Sequence, residues 1–185
     1  MAGRGTYADG GAAMILFGPL SVVPDAIKEH APSHLVSLLD QEKMIDTPAA
    51  IQPRRHLRLV LNDIAEPTEG LVAPARHHVS QLIDFVLDWD QRSPLLIHCW
   101  IGISRSTAAA FIALCALNKN HSEDAIAKLL RETAPHAAPN PAMIDIADDI
   151  LARRGRMRKA IKALGPTDTV YGHLAALPPV LPILK

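Results

Sequence analysis

The sequence predicts an α/β domain, with a central, mostly parallel sheet of four to five strands flanked by helices. Three observations carry that expectation. Short apolar runs bounded by Gly, Pro, Asn or Asp recur through the first hundred residues, as strands do. Helical stretches lie between them and fill the second half. The last apolar run, Leu95-Leu96-Ile97 after Pro94, has no polar alternation, as expected of a central strand covered on both faces.

The elements follow in order. Met14–Phe17 is a short buried strand stopped by Gly18-Pro19, and Pro24 to His30 holds a short helix. His34–Leu39 is the second strand. Leu57, Leu59 and Leu61 alternate with Arg58 and Val60 in a third, which ends at Asn62-Asp63. From Pro74 to Asp90, Val79, Leu82, Ile83, Val86 and Trp89 fall on one helical face. After the fourth strand, Ser104 to Leu117 is rich in alanine and leucine and strongly helical. Ser122 caps a helix running to about Thr133, with Glu123 and Asp124 in its first turn. Asn140-Pro141 starts another, continued by Met143, Ala147, Ile150, Met157, Ile161 and Leu164 with a kink expected at Gly155. These elements occupy 14–164. Residues 1–13 read as a flexible N-terminus and 165–185 as a proline-containing tail, of which Leu177–Lys185 is expected to be extended or mobile.

Composition narrows the function. With 49% hydrophobic and 21% charged residues, the chain is not a disordered tail protein. Nineteen basic residues balance nineteen acidic ones, which argues against a generic polyanion binder, so no nucleic-acid partner is expected. Two cysteines, Cys99 and Cys115, exclude a disulfide framework and a multi-cysteine zinc site. His77 and His78 are adjacent and expected to point apart, so no metal is expected there. No apolar run reaches the ~18 residues of a transmembrane helix. The expectation is a soluble, cytoplasmic protein without a membrane span or cofactor. Charge is unevenly spread: residues 1–152 hold 12 basic and 18 acidic residues, and 153–185 hold 7 and 1. The basic run Arg153, Arg154, Arg156, Arg158, Lys159 and Lys162 is read first as a solvated helix end and, second, as a docking patch for an acidic partner or a membrane surface.

The informative segment is His98-Cys99-Trp100-Ile101-Gly102-Ile103-Ser104-Arg105-Ser106. A buried strand runs into a cysteine, and an arginine opens the following helix. A loop in that position points backbone N–H groups inward, with the positive end of the helix dipole behind them. Gly102 permits the tight turn, and the fork of Arg105 can hold two phosphate oxygens. In such a field a thiol ionises more readily than a free one, and the thiolate of Cys99 can attack phosphorus. Ser106 is placed to hydrogen-bond the sulfur when it leaves. His98 is expected to support the loop from behind.

His-Cys-x5-Arg-Ser resembles the signature loop of the cysteine-dependent protein tyrosine phosphatase superfamily, and the chain looks most like its compact dual-specificity branch. The resemblance covers about residues 14–152. It implies a central sheet of the tyrosine phosphatase type, a phosphocysteine intermediate and a general acid on a loop after an earlier strand. Asn62-Asp63 ends the third strand thirty-six residues before Cys99, and the order strand, Asn-Asp, loop, helix, strand, His-Cys matches the branch. Asp63 is therefore the expected acid; Glu66 and Glu69 are rivals on the same loop. Pro139-Asn140-Pro141 resembles the family's Pro-Asn before its last helix.

Departures from the family pattern shape the substrate expectation. The first forty residues lack the phosphotyrosine-recognition motif of large members, and no Trp-Pro-Asp precedes the acid. The signature loop carries no lysine, whereas phosphoinositide-directed relatives tend to have them. Trp100, Ile101 and Ile103 instead form an apolar rim suited to an aromatic ring. The expected substrate is a phosphorylated protein or peptide, with phosphotyrosine first and phosphoserine or phosphothreonine second. Alternatives are a phosphoinositide, an RNA 5′ end, or a rhodanese-like sulfurtransferase reaction. A sulfurtransferase also places a cysteine on a strand-to-helix loop, but it leaves Asp63 without a task.

Overall fold

The computed structural model describes residues 13–167 and 179–184. Its sheet has five strands in the order β3-β2-β4-β1-β5. Strands β1 (Met14–Pro19), β2 (His34–Leu39), β3 (His56–Val60) and β4 (Leu95–Cys99) are mutually parallel. All four expected strands form, each within two residues of its predicted end. Strand β5 (Val180–Pro182) pairs antiparallel with β1.

Strand β5 gives the extended alternative for Leu177–Lys185 a definite form over Val180–Pro182, paired into the sheet. Leu181 is fully buried, Ile183 N–H donates to the Ala13 carbonyl, and Phe17 N–H donates to that of Pro179. The exposed edge of β1 is thereby paired, with prolines at its far side that suit an edge strand. Residues 168–178 and 185, and residues 1–12 of the expected flexible N-terminus, lie outside the described residues.

Among the described residues, six α-helices cover the sheet unequally. Helix α1 (Val23–His30) lies on one face, where Leu16, Leu35 and Leu96 meet Val23, Ala26 and Ile51. The other face carries α2 (Arg76–Asp88), α3 (Arg105–Leu117), α4 (Glu123–Thr133), α5 (Pro141–Ile150) and α6 (Arg156–Ala163). The alternation along the strands assigns the faces: Ile15 and Phe17, Val36 and Leu38, and Leu95 and Ile97 all point toward the larger helical layer. Helix α3 is buried almost throughout, which explains its alanine-rich, moment-poor sequence.

Caps behave as the sequence predicts. Ser122 Oγ accepts from Ala125 N–H at 3.2 Å, and Asn140 Oδ1 accepts from Met143 N–H at 3.1 Å. Gly155 marks a full break, with φ +84° between α5 and α6. Asp148 closes that break, accepting from Gly155 N–H at 2.6 Å and Met157 N–H at 2.8 Å. His77 and His78 do not point apart: their rings lie 3.8 Å from each other, and His78 Nδ1 accepts from Ala75 N–H at the start of α2.

Candidate active site

Because β1 to β4 are parallel, their C-terminal ends share one edge of the sheet, where open α/β sheets place their crevices. Each strand delivers something to that edge. Strand β4 ends at Cys99, β2 is followed by Asp40, and β3 by Leu61, Asn62 and Asp63. Strand β1 ends at Gly18-Pro19, against which the loop Trp100–Ser104 packs. Gly102 has φ +85°, and a Cβ there would stand 2.5 Å from Pro19 N and 2.7 Å from Gly18 C. Only glycine fits, on both backbone and steric grounds.

Cys99 is buried, 2% exposed, at the floor of this loop. Gly102 N–H donates to Sγ at 3.2 Å. Ser106 Oγ lies 3.3 Å from the sulfur on the other side. The thiol donates to that hydroxyl, and the hydroxyl can turn and donate to a thiolate. Helix α3 begins at Arg105, so its positive end is aimed at the same place.

Arg105 is held rigidly by half of its fork. Nη1 donates to Asp40 Oδ1 at 2.9 Å and to the Leu61 carbonyl at 2.8 Å. Its Nε is buried and has no hydrogen-bond partner in the protein. A buried guanidinium N–H without an acceptor is costly, and at the mouth of an anion loop it is a donor set aside for one. Asp40 also takes a 3.0 Å ion pair from Lys43. Burial opposes ionisation of Asp40, but the bonds from Lys43 and Arg105 outweigh it and hold its carboxyl below the usual range. The Lys43 ammonium lies 4.8 Å over the Trp100 ring.

Asp63 meets the loop directly. Its Oδ1 accepts from Ser104 Oγ at 2.7 Å and from Asn140 Nδ2 at 3.0 Å, and its Oδ2 lies 4.0 Å from Arg105 Nε. Ser104 sits at the N-cap of α3 but spends its hydroxyl on Asp63 rather than on its own helix. Asn62 closes the acid loop behind Asp63: its backbone N–H donates to the Val72 carbonyl, and its side-chain oxygen accepts from Val72 N–H, both at 2.7 Å. Among the described residues, neither Glu66 nor Glu69 is bonded to the signature loop.

The expected site residues thus meet around one crevice. Trp100 and Ile101 are about half exposed at the rim, and Ile103 is half-buried. His98 is fully buried behind Cys99, and burial, only partly offset by its bond to the Cys99 carbonyl, pushes its pKa down to about 4. Asp40 and the tie from Asn140 to Asp63 were not legible as site features. Asp40 ends a strand as Asp63 does, which is a signal, but nothing in sequence pairs it with Arg105 sixty-five residues on. Cys115 belongs to the core, where burial pushes its thiol well up.

Half of the basic run 153–162 is occupied by ion pairs within the domain. Arg153 and Arg156 pair with Glu123 at 3.1 and 3.0 Å, and Arg158 pairs with Asp145 and Asp149 at 2.9 and 2.7 Å. The structure gives no support to a docking patch there. No described helix is long and apolar enough to cross a membrane.

No protein-family model matches the chain, and no curated protein matches it in sequence. Solved structures do resemble its fold. DUSP15 aligns at a TM-score of 0.60 and 20% identity, covering 81% of this chain and 89% of that one. PTPMT1, crystallised with PI(5)P, aligns at 0.57 and 15%, covering 82% and 94%. The Yvh1 phosphatase domain from Chaetomium thermophilum aligns at 0.55 and 21%, covering 80% and 96%. The chain therefore has the fold of the cysteine-dependent protein tyrosine phosphatases. Its fold is the compact form seen in the dual-specificity phosphatases among these structures.

Proposed function

We propose that the protein is a phosphomonoester hydrolase that works through a phosphocysteine and acts on protein phosphotyrosine, with phosphoserine and phosphothreonine as lesser substrates. One observation carries the reading: a buried cysteine receives a loop N–H, faces a serine hydroxyl, and shares its crevice with an arginine whose Nε is unpaired. Arg105 and the loop amides bind the phosphate dianion. Cys99 sulfur attacks phosphorus in line, and the P–O bond to the leaving alcohol breaks. Asp63 protonates that oxygen, then takes a proton from the water that hydrolyses the phosphocysteine. Ser106 donates to the departing thiolate. No step calls on a metal or organic cofactor. The chemistry needs Cys99 reduced, which suits the cytoplasm.

The bond from Ser104 to Asp63 ties the candidate acid to the loop that holds the nucleophile, and it speaks against a sulfurtransferase, which has no use for that acid. The exposed Trp100 and Ile101 favour an aryl ester. Lys43 favours a second reading, since it places a cation at the rim where the signature loop has none. A phosphoinositide is that second substrate class, in keeping with PTPMT1 having been crystallised with PI(5)P. Purified protein assayed against phosphopeptides and phosphoinositides side by side decides between them, and preferential turnover of phosphoinositides would overturn the phosphotyrosine assignment. Cys99→Ser abolishes turnover of an aryl phosphate while still binding a phosphate mimic such as tungstate. Retained turnover in that variant would remove the nucleophile.

A further inference from the structure

Behind the nucleophile, on the thinly covered α1 face of the sheet, four polar side chains from three strands and one loop form an unbroken buried chain. Ser37 Oγ on β2 lies 2.6 Å from His98 Nε2 on β4 and 2.8 Å from His56 Nε2 on β3. Thr47 Oγ1, from the segment between β2 and β3, lies 2.9 Å from His56 Nδ1. At the far end, His98 Nδ1 lies 3.4 Å from the carbonyl oxygen of Cys99 itself. Ser37 and His98 are fully buried and His56 is 8% exposed. Sheet register places Ser37 directly beside His98.

The chain has only one consistent direction. A carbonyl oxygen accepts and never donates, so His98 carries its proton on Nδ1. Its Nε2 is then a lone pair, which accepts the single hydroxyl proton of Ser37. Ser37 oxygen accepts in turn from His56 Nε2–H, and His56 Nδ1 accepts from Thr47. The reverse direction would aim the Nδ1 lone pair at the Cys99 carbonyl. A direction of this kind requires both rings neutral. Burial, with Arg58 beside His56, holds His56 at about 4, and burial holds His98 there too.

We infer that Ser37, His56 and Thr47 are positioning residues for the nucleophile: they fix the tautomer of His98 and so aim a donor at the carbonyl of Cys99. That carbonyl shares a peptide unit with Trp100 N–H, the first amide of the signature loop. Donation to the oxygen enlarges the dipole of that peptide, and a chain of bonds pointing one way polarises each member. The consequence is a loop more favourable to a thiolate, set from two strands and a segment that touch neither substrate nor sulfur. The titratable groups around Cys99 come from other residues: Arg105 from α3, Asp63 from the acid loop, the Asp40–Lys43 pair beyond β2, and His136, which faces the Gly102 backbone from the loop before α5 and is held below its ordinary value by burial.

This inference rests on Cys99 being the nucleophile, but its test uses no phosphoester, so it can fail while turnover persists, and the reverse. Two readouts are made on the full chain: nitrogen-15 spectra of the histidine rings, and the pH dependence of Cys99 alkylation by iodoacetamide, followed on its own peptide to separate it from Cys115. The parent shows His98 protonated on Nδ1 and His56 on Nε2. Ser37→Ala frees both tautomers and slows alkylation near pH 6 by roughly two- to tenfold, the worth of one hydrogen bond, and Ser37→Thr restores both. Thr47→Val, at the half-buried end of the chain, shifts the ring signals of His98 although the two side chains do not touch. If Ser37→Ala does not fold, Thr47→Val alone decides. Opposite tautomers in the parent would overturn the relay. So would an unchanged alkylation profile in folded Ser37→Ala, or a His98 indifferent to Thr47→Val.

Discussion

The two ends of α3 each bring together a buried arginine, a cysteine and carboxylates, and they use them in opposite ways. At the C-terminal end, Arg153 has both terminal nitrogens engaged: Nη1 pairs with Glu123 at 3.1 Å and Nη2 donates to the Cys115 carbonyl at 2.5 Å. A cation meets the negative end of the helix, and the Cys115 thiol faces the core. At the N-terminal end, Asp40 and the Leu61 carbonyl take one arm of Arg105 and leave Nε unpaired. The Cys99 sulfur there receives donors rather than hydrocarbon. One end is closed by pairing, while the other is held rigid and incomplete. An incomplete buried pair costs stability, and that cost marks the functional end.

The largest effect expected from challenging this contrast is at Arg105. Arg105→Lys keeps the charge but loses the fork, and kcat/KM for an aryl phosphate falls on the order of 10²–10³-fold, the cost of losing a placed donor to developing charge. The matching change Arg153→Lys leaves turnover near the parent value and lowers the denaturation midpoint. Equal activity losses at both ends would erase the distinction.

Asp63→Ala comes next, because Asp63 belongs only to the open end. Turnover of esters with poor leaving groups falls by about 10²-fold, and that of a good leaving group such as p-nitrophenol much less. A uniform loss would transfer the acid role to Glu66 or Glu69.

Glu123→Gln tests the closed end. It strands the buried charge of Arg153, and denaturant titration should show a loss of about 3–5 kcal/mol with activity retained at low temperature. Burial opposes ionisation of Glu123, but its bonds from Arg156 and Arg153 outweigh that and hold its carboxyl below 4.5. Its contribution is therefore complete above pH 4.5 and is lost as pH falls through the folded value. In Glu123→Gln that part of the acid transition disappears.

The last test is the pH dependence set by the buried rings. His56 and His98 stay neutral down to about pH 4 in the folded chain, against an ordinary value of 6.5. Between those limits the unfolded chain binds protons that the folded chain refuses, so stability falls as pH drops from 6.5 to 4. A melting series shows this slope, and His56→Gln makes it shallower.

Much of the fold was legible because its signals are local. Periodicity located four strands, and cap residues located the starts of α4 and α5. The break at Gly155 was read as a kink because the apolar stripe runs on across it. A stripe records which side faces the core; the closure of that break by Asp148 is a bond between backbone and a residue seven positions earlier. Strand β5 escaped because Val180–Pro182 is three residues long and proline-flanked, too short for any pattern. Its strand character comes from the open edge of β1.

The site divides in the same way. By itself the sequence determined the chemistry of the crevice: a cysteine, an arginine and a serine in one helix-opening loop, with a glycine that the turn demands. Those residues are neighbours in the chain, and their spacing is their geometry. Only the tertiary structure decided how each is held. Asp40 grips Arg105, Asn140 grips Asp63, and Ser37 joins two histidines from different strands, because parallel strands bring residues nineteen to seventy-seven positions apart to one edge or one face. Sequence spacing cannot encode those meetings, since they depend on strand order and register, which emerge only when the whole core packs.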